Sequence, residues 1–145
     1  TKGTKEYDYY RLSLETLAKE FNKLEAEGIP VIWRPLHEAE GAWFWWGAEG
    51  AEPCKKLYRF LYDKLTNEYG LDNLIWVWNA NAPRKIPNDS AMAYDLYYPG
   101  NEYVHMIGLT GYNTGTYYAK ENAEKWKEFI EIYDDIQAFL VWRLL

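Results

Sequence analysis

The sequence predicts an α/β fold, a partial (β/α) barrel of three or four parallel strands with flanking helices, either a half-barrel or a truncated barrel. Three observations predict it. Helical and strand-like segments alternate along the chain, which favours parallel strands joined by right-handed crossovers. Each strand-like segment runs into a polar or aromatic loop, the end at which such barrels carry their chemistry. A closed eight-stranded barrel takes about 250 residues, whereas this chain has 145. It therefore reads as one partial (β/α)-barrel domain over residues 1–145, large enough to bury a core.

Element by element, Ser13 to Glu27 predicts an amphipathic helix, with Leu14, Leu17, Phe21 and Leu24 on one face. Ser13 is its candidate cap, and Gly28 with Pro30 stops it. The apolar run Ile29 to Trp33, ending at Arg34, predicts a buried strand. Pro53 opens a second helix that runs to about Tyr69, with Leu57, Leu61 and Leu65 inward and Gly70 as its stop. Leu74 to Trp78 predicts a second buried strand, leading into Asn79 and Asn81. A Pro-, Asn- and Tyr-rich stretch leads to a third strand, Val104 to Leu109, and then a helix over Glu121 to Asp135. The apolar tail from Ala138 to Leu145 is a candidate fourth strand. An open half-barrel leaves sheet edges exposed, so a homodimer that completes the barrel is an expectation.

Composition narrows the function classes. With 16 basic and 22 acidic residues the net charge is -6, which argues against nucleic acid as a partner, since phosphate binding needs a basic face. Cys54 is the sole cysteine, so no internal disulfide or multi-cysteine metal site forms. No apolar stretch has the length of a membrane span. Aromatic residues stand out: 8 Trp, 14 Tyr and 5 Phe make up 19% of the chain. Rings clustered near strand ends, at Trp43 to Trp46 and Tyr112 to Tyr118, exceed what a small core hides and point to a ligand with apolar faces.

The chemistry concentrates in Arg34-Pro-Leu-His-Glu-Ala-Glu-Gly-Ala-Trp-Phe-Trp-Trp-Gly47, at the exit of the first strand. A carboxyl beside an imidazole, followed by indoles, suits sugar chemistry. Glu38 can protonate a glycosidic oxygen, and indole faces can stack on pyranose rings. A zinc protease helix would need a second His at position 41, which is Gly41. Neither metal nor any other cofactor is expected.

Arg34 to Glu38, followed by Gly41 to Gly47, resembles the acid/base segment of glycoside hydrolase family 26. Leu74 to Asn79, Tyr98 to Tyr103 and Ile107 to Asn113 continue the resemblance, which covers roughly Leu14 to Tyr133. The family implies a (β/α)8 barrel and retaining hydrolysis of β-1,4-mannan or, less often, mixed-linkage glucan. Two catalytic glutamates are implied. The acid/base matches Glu38; the segment that holds the nucleophile has no counterpart here. By the same resemblance His37 bonds the sugar at the cleavage subsite, Trp43 stacks beside it, and Tyr112 corresponds to a tyrosine that bonds the nucleophile. Arg34 is expected to orient the catalytic carboxylate, with an ion pair elsewhere as the alternative, and Asn79 to bind hydroxyls. The chain departs from the family pattern at Ala39-Glu40, where Met-Asn is usual, and at Thr110, where many mannanases have Asp. A secreted, extracellular location follows from the resemblance.

The leading expectation is an endo-acting β-glycanase, with mannan first and cellulose-type or mixed-linkage β-glucan second. The alternative is a non-catalytic carbohydrate-binding chain or an inactive barrel fragment that self-associates.

Overall fold

The structure, a computed structural model, describes residues 3–81, 94–112 and 137–143. They fall into two compact units, one of residues 1–33 with 60–75 and the other of residues 34–59 with 76–145.

In the first unit, helix α1 spans Lys5–Ala26. It begins well before the expected start at Ser13. Thr4 is the cap, its side chain accepting from the Tyr7 N–H at 3.2 Å, with Glu6 and Asp8 in the positive first turn. Ser13 sits inside the helix and donates its hydroxyl to the Tyr9 carbonyl at 2.9 Å. Leu14, Ala18 and Phe21 are buried, a four-then-three spacing that fixes the inward face, whereas Leu24 is exposed. Gly28, at φ +69°, turns the chain out of the helix.

Strand β1, Val31–Trp33, is shorter and less covered than expected, and Ile32 is 57% exposed. Trp33 packs its ring edge-on against Phe21, with centroids 5.1 Å apart. Asn73 braces this corner: its carbonyl accepts from Val31 N–H at 2.8 Å and its amide donates to Ile29 O at 3.1 Å.

Helix α3, Ala51–Tyr62, follows the short helix α2, Trp45–Ala48, and passes from the second unit into the first. The expected second helix is continuous to Glu68, but its end, Asp63–Glu68, is a π turn. Cys54, Tyr58, Leu61 and Leu65 are buried along this stretch, while Leu57 is half-buried. Gly70, at φ +72°, is the stop.

Strand β2, Leu74–Asn81, lies beside β1 at its start. In the second unit β2, β3 (Met106–Tyr112) and β4 (Gln137–Arg143) run in that order and in parallel. Trp78 pairs with Ile107 and Ile107 with Ala138. Every residue of β2 from Trp76 to Asn81 is buried, as expected of a parallel strand covered on both faces. The apolar tail thus joins the sheet as the fourth strand. The expected helix over Glu121 to Asp135 lies outside the described residues.

Candidate active site

The loop from Arg34 to Gly47 is held by its own packing and by the end of β2. Glu38 N–H donates to the Asn79 carbonyl at 2.9 Å, and Trp46 Nε1 donates to the His37 carbonyl at 3.0 Å. Leu36, Glu38 and Ala42 adopt left-handed backbone, at φ 52°, 55° and 56°. Such conformations cost non-glycine residues roughly 1–3 kcal/mol each and persist only where the surroundings enforce them. Glu38 is 6% exposed, a carboxyl withdrawn from bulk water at the exit of β1.

His37 sits against two rings of the loop, Phe44 at 5.0 Å and Trp46 at 5.5 Å between centroids. Those two rings stack on each other at 4.4 Å with only 15° between planes. Burial first, then the positive charge of Arg34, holds the His37 imidazole below its ordinary value, against an opposing pull from Glu38. The four successive aromatics divide as a packed pair and an exposed pair: Trp43 is 49% exposed and Trp45 61%.

Trp43 lies over Gly41. A Cβ built on that glycine would fall 2.0 Å from the indole, so the ring occupies the space a side chain would take. Gly47 has an equally strict role: a Cβ there would meet the Ala39 carbonyl oxygen at 1.9 Å.

Arg34 reaches side chains of both β2 and β3. Its Nη1 donates to Asn79 Oδ1 at 3.0 Å and to Thr110 Oγ1 at 3.4 Å. Asn79 in turn donates through Nδ2 to Thr110 Oγ1 at 2.8 Å. At 2% exposure, with both ends of its amide engaged, Asn79 braces β2 against β3. Gly108 accommodates this brace, because a Cβ there would fall 2.8 Å from Asn79 Oδ1. Tyr112 ends β3 and pairs with Arg143 of β4; its side chain lies outside the described residues.

Sequence reasoning missed Glu40. Its carboxyl is 2% exposed, and Oε1 accepts from the backbone N–H of Asn81 and from Asn81 Nδ2, the latter at 2.9 Å. Burial pushes its pKa up, partly offset by these bonds, and the charge of Glu38 adds to the rise. The Cys54 thiol is pushed up to about 11 by burial and then by Glu40, which makes it a packed and unreactive group. Nothing in the residue pattern distinguishes Glu40 from a solvated loop carboxylate; only the folded loop brings it to Asn81.

Residues 1–142 match the profile of Glycosyl hydrolase family 26. The chain belongs to this family. It is 48% identical over 91 residues to a mannan endo-1,4-beta-mannosidase of Thermothelomyces thermophilus, a match spanning 61% of this chain and 19% of that protein. The solved GH26-CBM35 β-(1,4)-mannanase of Podospora anserina superposes with a TM-score of 0.74 at 37% identity, covering 98% of this chain and 29% of that one. A fainter likeness, 28% identity over 115 residues, reaches Endoglucanase H of Acetivibrio thermocellus, covering 76% of this chain and 12% of the relative. The fold class is accordingly a partial (β/α) barrel, and the chain spans less than a third of the length of the curated relatives it matches. Among the described residues no helix is long and apolar enough to cross a membrane.

Proposed function

We propose that this chain carries the acid/base side of an endo-acting, retaining β-glycanase acting on β-1,4-mannan. The observation that carries the reading is the pairing of a withdrawn carboxyl, Glu38 at 6% exposure, with a half-exposed indole, Trp43, in one loop at a strand exit. Glu38 is the general acid that protonates the departing glycosidic oxygen, and then the base that takes a proton from the attacking water. Trp43 offers its face to a sugar ring, and a neutral His37 imidazole can both donate to and accept from a hydroxyl.

Retention needs a second carboxylate about 5–5.5 Å from the first. Neither Asn79, near the end of β2, nor Thr110, near the end of β3, is a carboxylate. The chain by itself is therefore expected to release few reducing ends from β-mannan. Release that disappears in Glu38→Gln would show that a second carboxylate is supplied from somewhere, with another copy of the chain, the homodimer arrangement, the first place to look. Release that persists undiminished in Glu38→Gln would refute the role of Glu38. An extracellular location fits a substrate that is a polymer.

The half-exposed Trp43 also favours a second reading, sugar binding without catalysis. Glu38→Gln separates the two, because a binding site tolerates it and a hydrolase does not. The likeness to Endoglucanase H keeps cellulose-type β-glucan as the second substrate, tested by running mixed-linkage glucan and carboxymethylcellulose beside mannan.

A further inference from the structure

The first unit contains a cavity of its own, about 140 Å³, between the start of α1 and the stretch from Phe60 to Tyr69. Tyr7, Tyr10, Phe60 and Tyr69 supply aromatic surface to it. Tyr10 and Phe60 are each 37% exposed, so their rings meet solvent at its mouth. One wall is the π turn Asp63–Glu68, a geometry that is rare in helices and concentrates at functional sites.

The charges of the lining are self-compensated. Arg11 pairs with Glu15 at 2.5 Å, and Lys64 pairs with Glu68 within the π turn. The lining therefore carries no net formal charge to favour an anion or a cation. Flat rings, phenol hydroxyls and the outer atoms of two ion pairs together suit a molecule with apolar C–H faces and many hydroxyls. Tyr10 and Tyr69 bring phenol groups to this lining, which are protonated donors at neutral pH. The volume equals about five waters, enough for one ring of a glycan whose remainder stays in solvent.

We propose that this cavity is a second, non-catalytic site that binds one ring of an uncharged β-linked oligosaccharide. The choice of sugar class rests on the reading of Glu38 and Trp43 given above. A site of this kind would hold a polymer on the protein independently of the loop that follows β1.

The test is calorimetric titration of the 145-residue chain with β-1,4-mannohexaose, in wild type, Trp43→Ala, Tyr10→Leu and the double variant. Tyr10→Leu keeps apolar bulk and helix propensity but removes the flat ring and the hydroxyl. Phe60→Leu repeats the test from α3, and each variant is first shown to melt cooperatively. The proposal expects residual binding in Trp43→Ala that weakens about tenfold, a 1.4 kcal/mol change, when Tyr10→Leu or Phe60→Leu is added. Residual binding unaffected by either substitution, or no residual binding in Trp43→Ala, would overturn it while leaving the catalytic-loop reading intact. Binding that resists Trp43→Ala and falls with Tyr10→Leu would uphold this site and count against Trp43. No binding by the wild type would overturn both.

Discussion

Substitutions at Glu40 separate its hydrogen bonds from its charge. Oε1 accepts from two donors of Asn81, and both residues are buried, at 2% and 5% exposure. Glu40→Ala leaves both donors unpaired at roughly 1–3 kcal/mol each, about 2–6 kcal/mol together. At about 4 °C per kcal/mol for a chain of this length, Tm should fall by roughly 8–24 °C. Glu40→Gln keeps a carbonyl acceptor for Asn81 and removes the ionisable proton. The pKa of Glu40 is raised in the folded protein, chiefly by burial, above its ordinary 4.5. The stability that comes from this raised value is therefore fully present below the ordinary value and is lost as pH climbs through the folded one. Wild type should lose stability relative to Glu40→Gln as pH rises, and the two should converge in behaviour at the acid end. Tryptophan-fluorescence melts across a pH series measure all three proteins. The reasoning is refuted if Glu40→Gln melts as low as Glu40→Ala, or if its difference from wild type is independent of pH.

Other consequences follow from single contacts. Gly41→Ala places a methyl where the Trp43 ring lies, 2.0 Å away; the ring can swing off, so retention on β-mannan gels should drop as far as in Trp43→Ala, with Tm changing little. Retention at the wild-type level would show that the ring position is immaterial. Gly47→Ala drives a methyl against the Ala39 carbonyl, which is backbone and cannot step aside, and should cost about 1–3 kcal/mol or more in urea unfolding. NMR titration of His37 should give a midpoint below the ordinary 6.5, and Arg34→Met should raise it, because burial and then Arg34 lower it. A midpoint that does not move would remove Arg34 as a cause.

The sequence made the alternation of helix and strand legible, since Leu74 to Trp78 of β2 is an unbroken apolar run and the stops at Gly28 and Gly70 both take left-handed backbone. It misplaced the start of α1 because Ser13 looks like a cap, yet Thr4 with the acidic first turn makes a better one. The covering of β1 was over-read: an apolar run signals burial only if another element lies on it, and Ile32 is exposed. In the loop, Glu38, His37 and Trp43 were legible as neighbours because they are close in sequence. Arg34 with Asn79 and Thr110, and Glu40 with Asn81, join residues 31 to 76 positions apart. No spacing rule reaches that far, so the two braces emerge only from the folded strands.

The most direct test of Glu38 supplies the barrel strands that this chain does not itself provide. Residues 1–142, the family match, would replace the corresponding part of the Podospora anserina mannanase, and reducing-end release from β-mannan would be measured with and without Glu38→Gln. The account predicts a chimera that hydrolyses mannan and loses about 10²–10⁴-fold in rate on the substitution, the usual worth of a general acid/base. A folded chimera whose rate survives Glu38→Gln would contradict it.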